Sequence, residues 1–199
     1  MKKLSVHKPS ARKYADFGNY LAGLIDGHGH FDSEFGLVIS FNSEDGRDAK
    51  TLRSKIGFGK VVPIKNKRSL KLVIRKEAGL VIVGALVLNK LKHPSRIAEF
   101  NSRLYPKYSK TRTSESSLIA WDSSWFAGFF DAHGYFSIRL IRRSATALPE
   151  FRLNAKLFES EASKVLIRQF RVFFKGGYIS SRIHSDGGAQ SFAYETMSY

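Results

Sequence analysis

The chain has 199 residues, of which 43% are hydrophobic, so it can bury a core and wholesale disorder is not expected. It contains 33 Lys and Arg against 17 Asp and Glu, and the net charge of +16 points to a polyanionic partner, either nucleic acid or an anionic membrane surface. The absence of cysteine excludes disulfide frameworks, Cys–zinc sites and thiol catalysis.

The chain begins with a basic stretch. Residues 1–15 are predicted to form an N-terminal arm that carries five cations, Lys2, Lys3, Lys8, Arg12 and Lys13. The stretch has no hydrophobic segment of the secretory kind, so no secretory signal is expected; a remnant of an organellar targeting sequence is the alternative to an arm. The longest apolar run, Ala78 to Leu88, has about half of the roughly 20 residues that a membrane-spanning helix needs. It predicts a buried helix.

Two segments of the chain, Tyr20–Phe31 and Trp125–Phe136, repeat each other at a spacing of 105 residues. The identical positions include Gly23, Asp26, His28, Gly29 and Phe31 in the first copy and Gly128, Asp131, His133, Gly134 and Phe136 in the second. Such a repeat predicts two homologous halves related by an approximate two-fold axis. Each copy is predicted to be a short apolar helix. A mid-helix glycine costs roughly 1 kcal/mol against alanine but lets two helix backbones approach closely, so the two helices are expected to pack through Gly23 and Gly128.

Each repeat is followed by a similar order of predicted elements. The first half, residues 16–104, should contain a hairpin, a helix, a second hairpin and two helices, at Phe31–Asn42, Glu44–Ile56, Lys60–Arg75, Glu77–Leu91 and Ser95–Leu104. The second half, residues 118–199, should contain a hairpin, a helix and a hairpin, at Phe136–Phe158, Ser160–Lys175 and Tyr178–Thr196. The alternation within Phe136–Phe158 predicts an apolar face on the core and a basic face outward. Residues 105–117 are predicted to be a basic interdomain linker.

Both repeats resemble the signature motif of the LAGLIDADG homing endonucleases, and Leu21-Ala22-Gly23-Leu24-Ile25-Asp26 matches its first six letters. Phe58–Val61 and Arg96–Leu104 also resemble segments of that family. The resemblance implies an α+β fold, a pseudo-two-fold pair of αββαββα halves whose antiparallel sheets form a saddle for duplex DNA. It implies a monomer that is a pseudo-dimer. The motif helices form the interface between the halves, and four of their residues are assigned to it: Gly23, Asp26, Gly128 and Asp131.

The sequence departs from the family at the position that carries its chemistry. In the family, the eighth motif residue is an Asp or Glu that binds the catalytic Mg²⁺, but here His28 and His133 occupy that position. Mg²⁺ prefers carboxylate, phosphate and water oxygens, whereas a neutral imidazole offers one softer nitrogen and no charge. Asp26 and Asp131 lie two residues earlier, about 200° around the helix, so they cannot simply substitute. No catalytic residue, metal site or cofactor is therefore predicted.

Two further departures concern the saddle. Between Gly29 and Glu44 there are 14 residues, against 25 between Gly134 and Ser160, so the first-half hairpin is shorter by 11 residues. It carries Asp32 and Glu34, which would repel phosphates if they faced the saddle. The second half is predicted to be truncated at its C-terminus, because it lacks counterparts of the two helices at Glu77–Leu104.

The positive charge is concentrated before the second half. Residues 1–117 hold 23 Lys and Arg and 10 Asp and Glu, a net of +13, against +3 for residues 118–199. Because basic residues also lie outside the saddle, several faces are expected to contact phosphates. Besides the five arm cations, the predicted nucleic-acid-binding residues are Lys60, Lys65, Lys67, Arg68, Lys71, Arg75, Arg103, Lys107, Lys110, Arg112, Arg139, Arg143, Arg152, Lys156 and Arg182.

Three functions follow from these observations. The first is a catalytically inactive LAGLIDADG-type protein that binds structured RNA, either as a structural component of a mitochondrial ribosome, with rRNA and neighbouring subunits as partners, or as an intron maturase. The compact size favours the ribosomal role. The second is an active homing endonuclease that cleaves double-stranded DNA, and the third is a DNA-binding regulator. The abundance of the family in organellar introns implies a mitochondrial location, with the chloroplast as the alternative; membrane binding is not expected.

Overall fold

A computed structural model describes residues 11–108, 111–114, 123–144, 148–160, 164–182 and 191–197 of the protein. The first half begins with a long helix that runs directly into a strand. Its helices are α1 (Ala11–His28), α2 (Gly46–Ile56), α3 (Glu77–Val87), α4 (Pro94–Glu99) and α5 (Tyr105–Tyr108). Its strands are β1 (Gly29–Phe31), β2 (Leu37–Asn42), β3 (Lys60–Pro63) and β4 (Ser69–Ile74). A 3-10 turn, Ser43–Asp45, precedes α2, and a π-helical turn, Phe100–Leu104, joins α4 to α5.

The second half repeats the order of the first. Its elements are α6 (Trp125–His133), β5 (Gly134–Ile141), β6 (Glu150–Ser160), α7 (Lys164–Phe173), β7 (Tyr178–Arg182) and β8 (Ser191–Met197). The described part of this half contains no counterpart of α3, α4 or α5. The described helices therefore cover the sheet of the first half more completely than the sheet of the second half.

Each half builds one antiparallel four-stranded sheet, with strand orders β1-β2-β4-β3 and β5-β6-β8-β7. The registers are equivalent as well, since Gly29 pairs with Ile39 in the first sheet and Gly134 pairs with Leu157 in the second. Internal duplication, predicted from the motif repeat alone, thus extends to the order and pairing of all eight strands. The predicted α+β fold with two antiparallel sheets is confirmed.

The core lies between the helices and one face of each sheet. In the first half this face carries Leu37, Ile39, Leu72 and Ile74, all fully buried. They alternate with residues such as Lys71, which lie on the opposite face because side chains alternate along a strand. Helix α2 closes over the sheet and ends at Gly57, whose left-handed φ of 83° lets its N–H bond to the carbonyl oxygen of Arg53.

The predicted burial of the second-half hairpin is wrong over most of its length. Only Leu157 of its apolar face is buried, whereas Phe136 is 70% exposed, Ile138 68% and Phe151 72%. The alternation correctly put these residues on one face with Leu157, as the pairing of β5 with β6 shows. They are exposed because the described helices cover this face only partly: Phe136 contacts Phe130 of α6 and is still mostly in solvent.

The structure also differs from the sequence prediction at the limits of three segments. Helix α1 begins at Ala11, so the last residues of the predicted arm, including Arg12 and Lys13, are helical, while residues 1–10 lie outside the described residues. The predicted linker begins with α5. Further along this segment, Thr113 is buried, and its hydroxyl and backbone form hydrogen bonds with Asn89 and Asn101. Ser160, predicted to begin a helix, ends β6. Across the described ranges, no helix has the length and apolar character needed to cross a membrane.

Candidate nucleic-acid interface

The two motif helices, α1 and α6, pack directly against each other. A Cβ atom on Gly23 would overlap the carbonyl oxygen of Trp125, and one on Gly128 would overlap that of Tyr20. Glycine is needed at both positions because backbone contacts backbone there. The predicted interface glycines therefore lie where the two helices touch.

The interface aspartates are held by equivalent bonds in unequal surroundings. Asp26 is buried and accepts hydrogen bonds from Trp125 Nε1 at 2.8 Å and from the Lys92 amide at 2.7 Å. Burial raises the pKa of Asp26 to about 7, although these donors favour its ionised form. Asp131 is exposed and accepts a 2.8 Å bond from the Tyr20 hydroxyl. Tyr20 and Trp125 occupy equivalent positions of the repeat, so the two bonds are symmetric across the helix pair.

His28 and His133 meet at the ends of the motif helices. Their ring centroids are 4.6 Å apart, and His133 Nε2 lies 2.8 Å from the carbonyl oxygen of Gly27. Because a carbonyl can only accept, this geometry assigns the Nε2 proton to His133. Burial, and then the nearby His133, lower the pKa of His28. His28 is therefore neutral near pH 7.

The donor set at this position does not fit Mg²⁺. The two residues that replace the acids supply imidazole nitrogens, and the His133 Nε2 atom is already bonded to a carbonyl. A cavity of about 290 Å³ beside His28 is also lined by Asp45, Asp48 and Asp131. Among the described residues, however, no group of three or more His, Asp or Glu side chains is arranged to hold a metal ion.

A basic surface lies on the sheet faces opposite the core. Lys60 and Lys71 lie on this face of the first sheet, with the exposed Lys65, Lys67 and Arg68 in the β3–β4 turn. In the second sheet, Arg139 pairs directly with Arg152 across β5 and β6. The arrangement is suited to contacting a phosphate backbone.

Several predicted binding cations have partners within the protein. Arg75 bonds to Asp32 at 2.7 Å and to Glu34 at 2.9 Å, which neutralises the acidic stub of the first hairpin. Lys156 pairs with Glu195 at 2.6 Å and Arg143 with Glu150 at 3.0 Å.

Other predicted cations contact a carbonyl group or aromatic rings. Arg103 donates to the carbonyl oxygen of Phe31. Lys107 lies over the rings of Phe35 and Tyr108, and Arg112 over Tyr105. These cations lie on the helices of the first half and in the linker, outside the sheets that form the saddle.

The remaining predicted binding residues are not placed by the structure. Lys2, Lys3, Lys8 and Lys110 lie outside the described residues, as do the side chains of Arg12, Lys13, Arg152 and Arg182. They stay predictions. Sequence reasoning missed the bonds of Tyr20 and Trp125 to the interface aspartates. The signal was present, because both repeats begin with a side chain that can donate a hydrogen bond.

Comparison with solved structures identifies the fold. I-AabMI bound to uncleaved DNA, a LAGLIDADG meganuclease, matches with a TM-score of 0.66 at 15% identity, over 91% of this chain and 78% of that one. I-CpaMI, another LAGLIDADG meganuclease bound to uncleaved DNA, matches with a TM-score of 0.62 at 16% identity, over 91% and 79%. The chain has the fold of the LAGLIDADG meganucleases. No protein-family model matches it.

Two curated proteins of intron origin resemble this chain in sequence. An uncharacterized cox1 intron-2 protein of Schizosaccharomyces pombe is 36% identical over 168 residues, which are 78% of this chain and 50% of that protein. The intron-encoded RNA maturase bI4 of Saccharomyces cerevisiae is 26% identical over 122 residues, which are 59% of this chain and 19% of that protein. The chain thus spans half the length, or less, of these relatives.

The histidine pair predicts a pH dependence of stability. Because the folded protein lowers the pKa of His28, the unfolded chain takes up this proton first, near its ordinary value of about 6.5. The contribution of His28 to stability should therefore fall as the pH drops from about 7.5 to 5.5. The measurement is urea unfolding of the natural protein and of His28→Asn at several pH values.

The comparison of the two proteins removes the effect of Asp26, which has the opposite sign. Its raised pKa gives a contribution that is present at low pH and lost as the pH rises through about 7. This term is common to both proteins, so the stability advantage of the natural protein over the His28→Asn variant should shrink on acidification. An advantage that stays constant or grows would contradict the assignment.

Proposed function

We propose that this LAGLIDADG-fold protein binds structured RNA and does not cleave DNA. The observation that carries the proposal is the position of His28 and His133, whose rings lie side by side at the ends of the motif helices. The resemblance to the family puts two metal-binding carboxylates there. Two imidazoles supply neither the negative charge nor the hard oxygen ligands that a Mg²⁺-dependent cleavage of phosphodiesters needs.

The charge distribution supports a nucleic-acid partner that contacts more than the saddle. Exposed cations lie on the basic sheet face at Lys60 and in the β3–β4 turn, and further ones lie on the linker side at Lys107 and Arg112. A duplex in the saddle would leave the linker side in solvent. A folded RNA can surround the protein and contact both surfaces, because phosphate contacts do not depend on one groove geometry.

Among RNA roles, the relatives favour intron splicing. One is named as an intron-encoded RNA maturase and the other as a cox1 intron product, and both support binding of intron RNA by this chain. The cox1 origin also supports a mitochondrial location, and neither relative points to the chloroplast. The sequence alone favoured a ribosomal role. That role is the second candidate, because the exposed apolar face of β5 and β6 suits a protein with neighbouring subunits.

The proposal is tested by binding and cleavage measured on the same protein. The chain should bind a structured intron RNA more tightly than a DNA duplex of equal length at about 150 mM salt. It should leave a randomised duplex library intact in Mg²⁺ or Mn²⁺. Metal-dependent cuts, or a preference for duplex DNA, would overturn it in favour of a nuclease or a DNA-binding regulator. Co-sedimentation with ribosomal particles through high salt would favour the ribosomal role.

Lys71→Gln should weaken RNA binding by a few-fold and reduce the salt dependence. Lys71 of β4 lies on the basic face of the first sheet, where it pairs with Val62 of the neighbouring strand β3. Removing one phosphate contact should lower the slope of log K against log salt by about 0.7–1. The measurement is a filter-binding titration at several salt concentrations.

Arg171→Gln is the matched control, because Arg171 is exposed on α7, on the side of the sheet away from the basic face. It removes one positive charge as well, so it has the same effect on net charge. Equal slopes for the two variants would contradict the assignment of the basic face as the RNA surface.

A further inference from the structure

The two halves place equivalent residues in different surroundings. In the first half, Leu21, Ile25 and Phe31 are at most 1% exposed. Their equivalents 105 residues later are Phe126 and Phe130, which are partly exposed, and Phe136, which is 70% exposed. The second half therefore presents in solvent an apolar surface that the first half buries.

The first half also shows what covers this surface. The segment that begins at Lys92 and runs through α4 and the π turn lies over it. Phe100 packs edge-on against Phe31, with ring centroids 5.7 Å apart. The Glu99 carboxylate accepts a 2.9 Å bond from the Phe31 amide. The segment also donates its Lys92 amide to Asp26. The covering element is thus a helix that meets an aspartate at its N-terminal side and inserts an aromatic ring about two turns later.

The described part of the second half offers the same features without the helix. A cleft of about 300 Å³ is lined by Phe126, Phe130, Phe136 and Asp131, with Tyr194 and Phe174 at its other side. Asp131 is the equivalent of Asp26, and its Oδ2 atom accepts from Tyr20 as Asp26 accepts from Trp125. From the cleft the apolar face continues along Ile138, Leu140 and Phe151. No described element lies over it.

We propose that this face is a docking site for a helix of a partner protein. The helix directs its free N-terminal N–H groups at Asp131 and inserts an aromatic side chain beside Phe136, as the segment from Lys92 to Phe100 does in the first half. The carboxylate favours this polarity because a helix N-terminus carries partial positive charge and unpaired donors. The inference goes beyond RNA binding, because it assigns a protein partner to a different surface.

The chemistry of the face favours a protein over RNA. The residues that share it are Phe136, Ile138, Leu140, Phe151 and Ala155, with no cation among them, because Arg139 and Lys156 lie on the opposite side of the sheet. Phosphate binding needs cations, which this face lacks, and its aliphatic members Ile138, Leu140 and Ala155 do not stack on bases. Exposed apolar surface of this extent is typical of a protein interface.

The shape of the face favours a helix over a second copy of the chain. A two-fold dimer would place the same patch against itself. Two concave clefts cannot fill each other, whereas a helix inserts a side chain into one, as helix-in-groove recognition does.

The experiment uses a labelled peptide of residues 90–106, the segment that covers the equivalent surface of the first half, titrated into the full chain. Saturable binding is expected. Phe136→Ser in the chain, or Phe100→Ala in the peptide, should weaken it by about tenfold or more, the loss of one anchoring aromatic. Phe136 is largely exposed, so its replacement leaves the fold intact. Phe35→Ser removes an exposed ring of the first half and should leave binding unchanged.

A second version of the experiment works even if the free peptide binds the chain weakly. The same segment, tethered to the end of the full chain by a Gly/Ser linker, is present at about millimolar effective concentration. It should slow amide hydrogen exchange in β5, and Phe136→Ser should abolish this protection. Unchanged exchange in β5, or protection that survives Phe136→Ser, overturns the proposal. A dimer of the natural chain that dissociates with Phe136→Ser overturns it in favour of self-association, and protection of Phe136 by RNA overturns it in favour of RNA.

Discussion

Gly23→Val should unfold the protein or cost more than about 3 kcal/mol of unfolding free energy. A side chain at this position meets backbone, since a Cβ would overlap the Trp125 carbonyl and lie 2.8 Å from the Phe129 nitrogen. Backbone in a helix cannot rotate away as a side-chain tip can. The two motif helices would have to separate, and both halves would lose the contact that joins them. Gly128→Val should have a similar effect, because its Cβ would overlap the Tyr20 carbonyl.

The measurement is chemical unfolding followed by circular dichroism, with Gly176→Ala as the control. The nearest atom to a Cβ at Gly176 is 3.9 Å away, and its φ lies outside the left-handed region. This variant should therefore change stability by less than about 0.5 kcal/mol. If Gly23→Val were as stable as Gly176→Ala, the close packing of the motif helices would be contradicted.

Asp26→Ala should cost about 3–5 kcal/mol, whereas Asp131→Ala should cost less than about 1 kcal/mol. The two aspartates are equivalent in sequence and accept equivalent bonds from Trp125 and Tyr20. Only Asp26 is buried, and only there would two donors, Trp125 Nε1 and the Lys92 amide, be left without an acceptor. An exposed donor such as the Tyr20 hydroxyl can turn to water instead.

The difference between the two variants is the quantity to measure, because it cancels effects common to removing an aspartate. Asp26→Asn serves as a further variant: its amide oxygen can still accept, so it should recover part of the loss. Equal costs for Asp26→Ala and Asp131→Ala would show that the first half does not bury this site more deeply than the second.

Local patterns in the sequence were sufficient for the elements and their duplication. The motif repeat predicts the paired helices, and alternation predicts which residues of β5 and β6 share a face. Alternation cannot show whether another element covers that face. The exposure of Ile138 and Leu140 therefore had to come from the structure, since it depends on helices distant in sequence.

Local sequence patterns also cannot predict which cations form ion pairs within the protein. Arg75 was assigned to nucleic acid as one of several cations near the first sheet. Its partner Asp32 is 43 residues away in sequence, and the β2–β4 pairing brings the two together. The equivalence of His28 and His133, by contrast, followed from the repeat, and the structure places their rings in contact.

The most direct test of the central claim is to crosslink the protein in cells and sequence the attached nucleic acid. The account predicts structured RNA, chiefly intron RNA, with crosslinks at the basic sheet face and on the linker side. A protein in which both histidines are replaced, His28→Asp and His133→Asp, should recover the same RNA, because binding does not depend on them. Recovery of a defined duplex DNA site, with the RNA absent, would contradict the account.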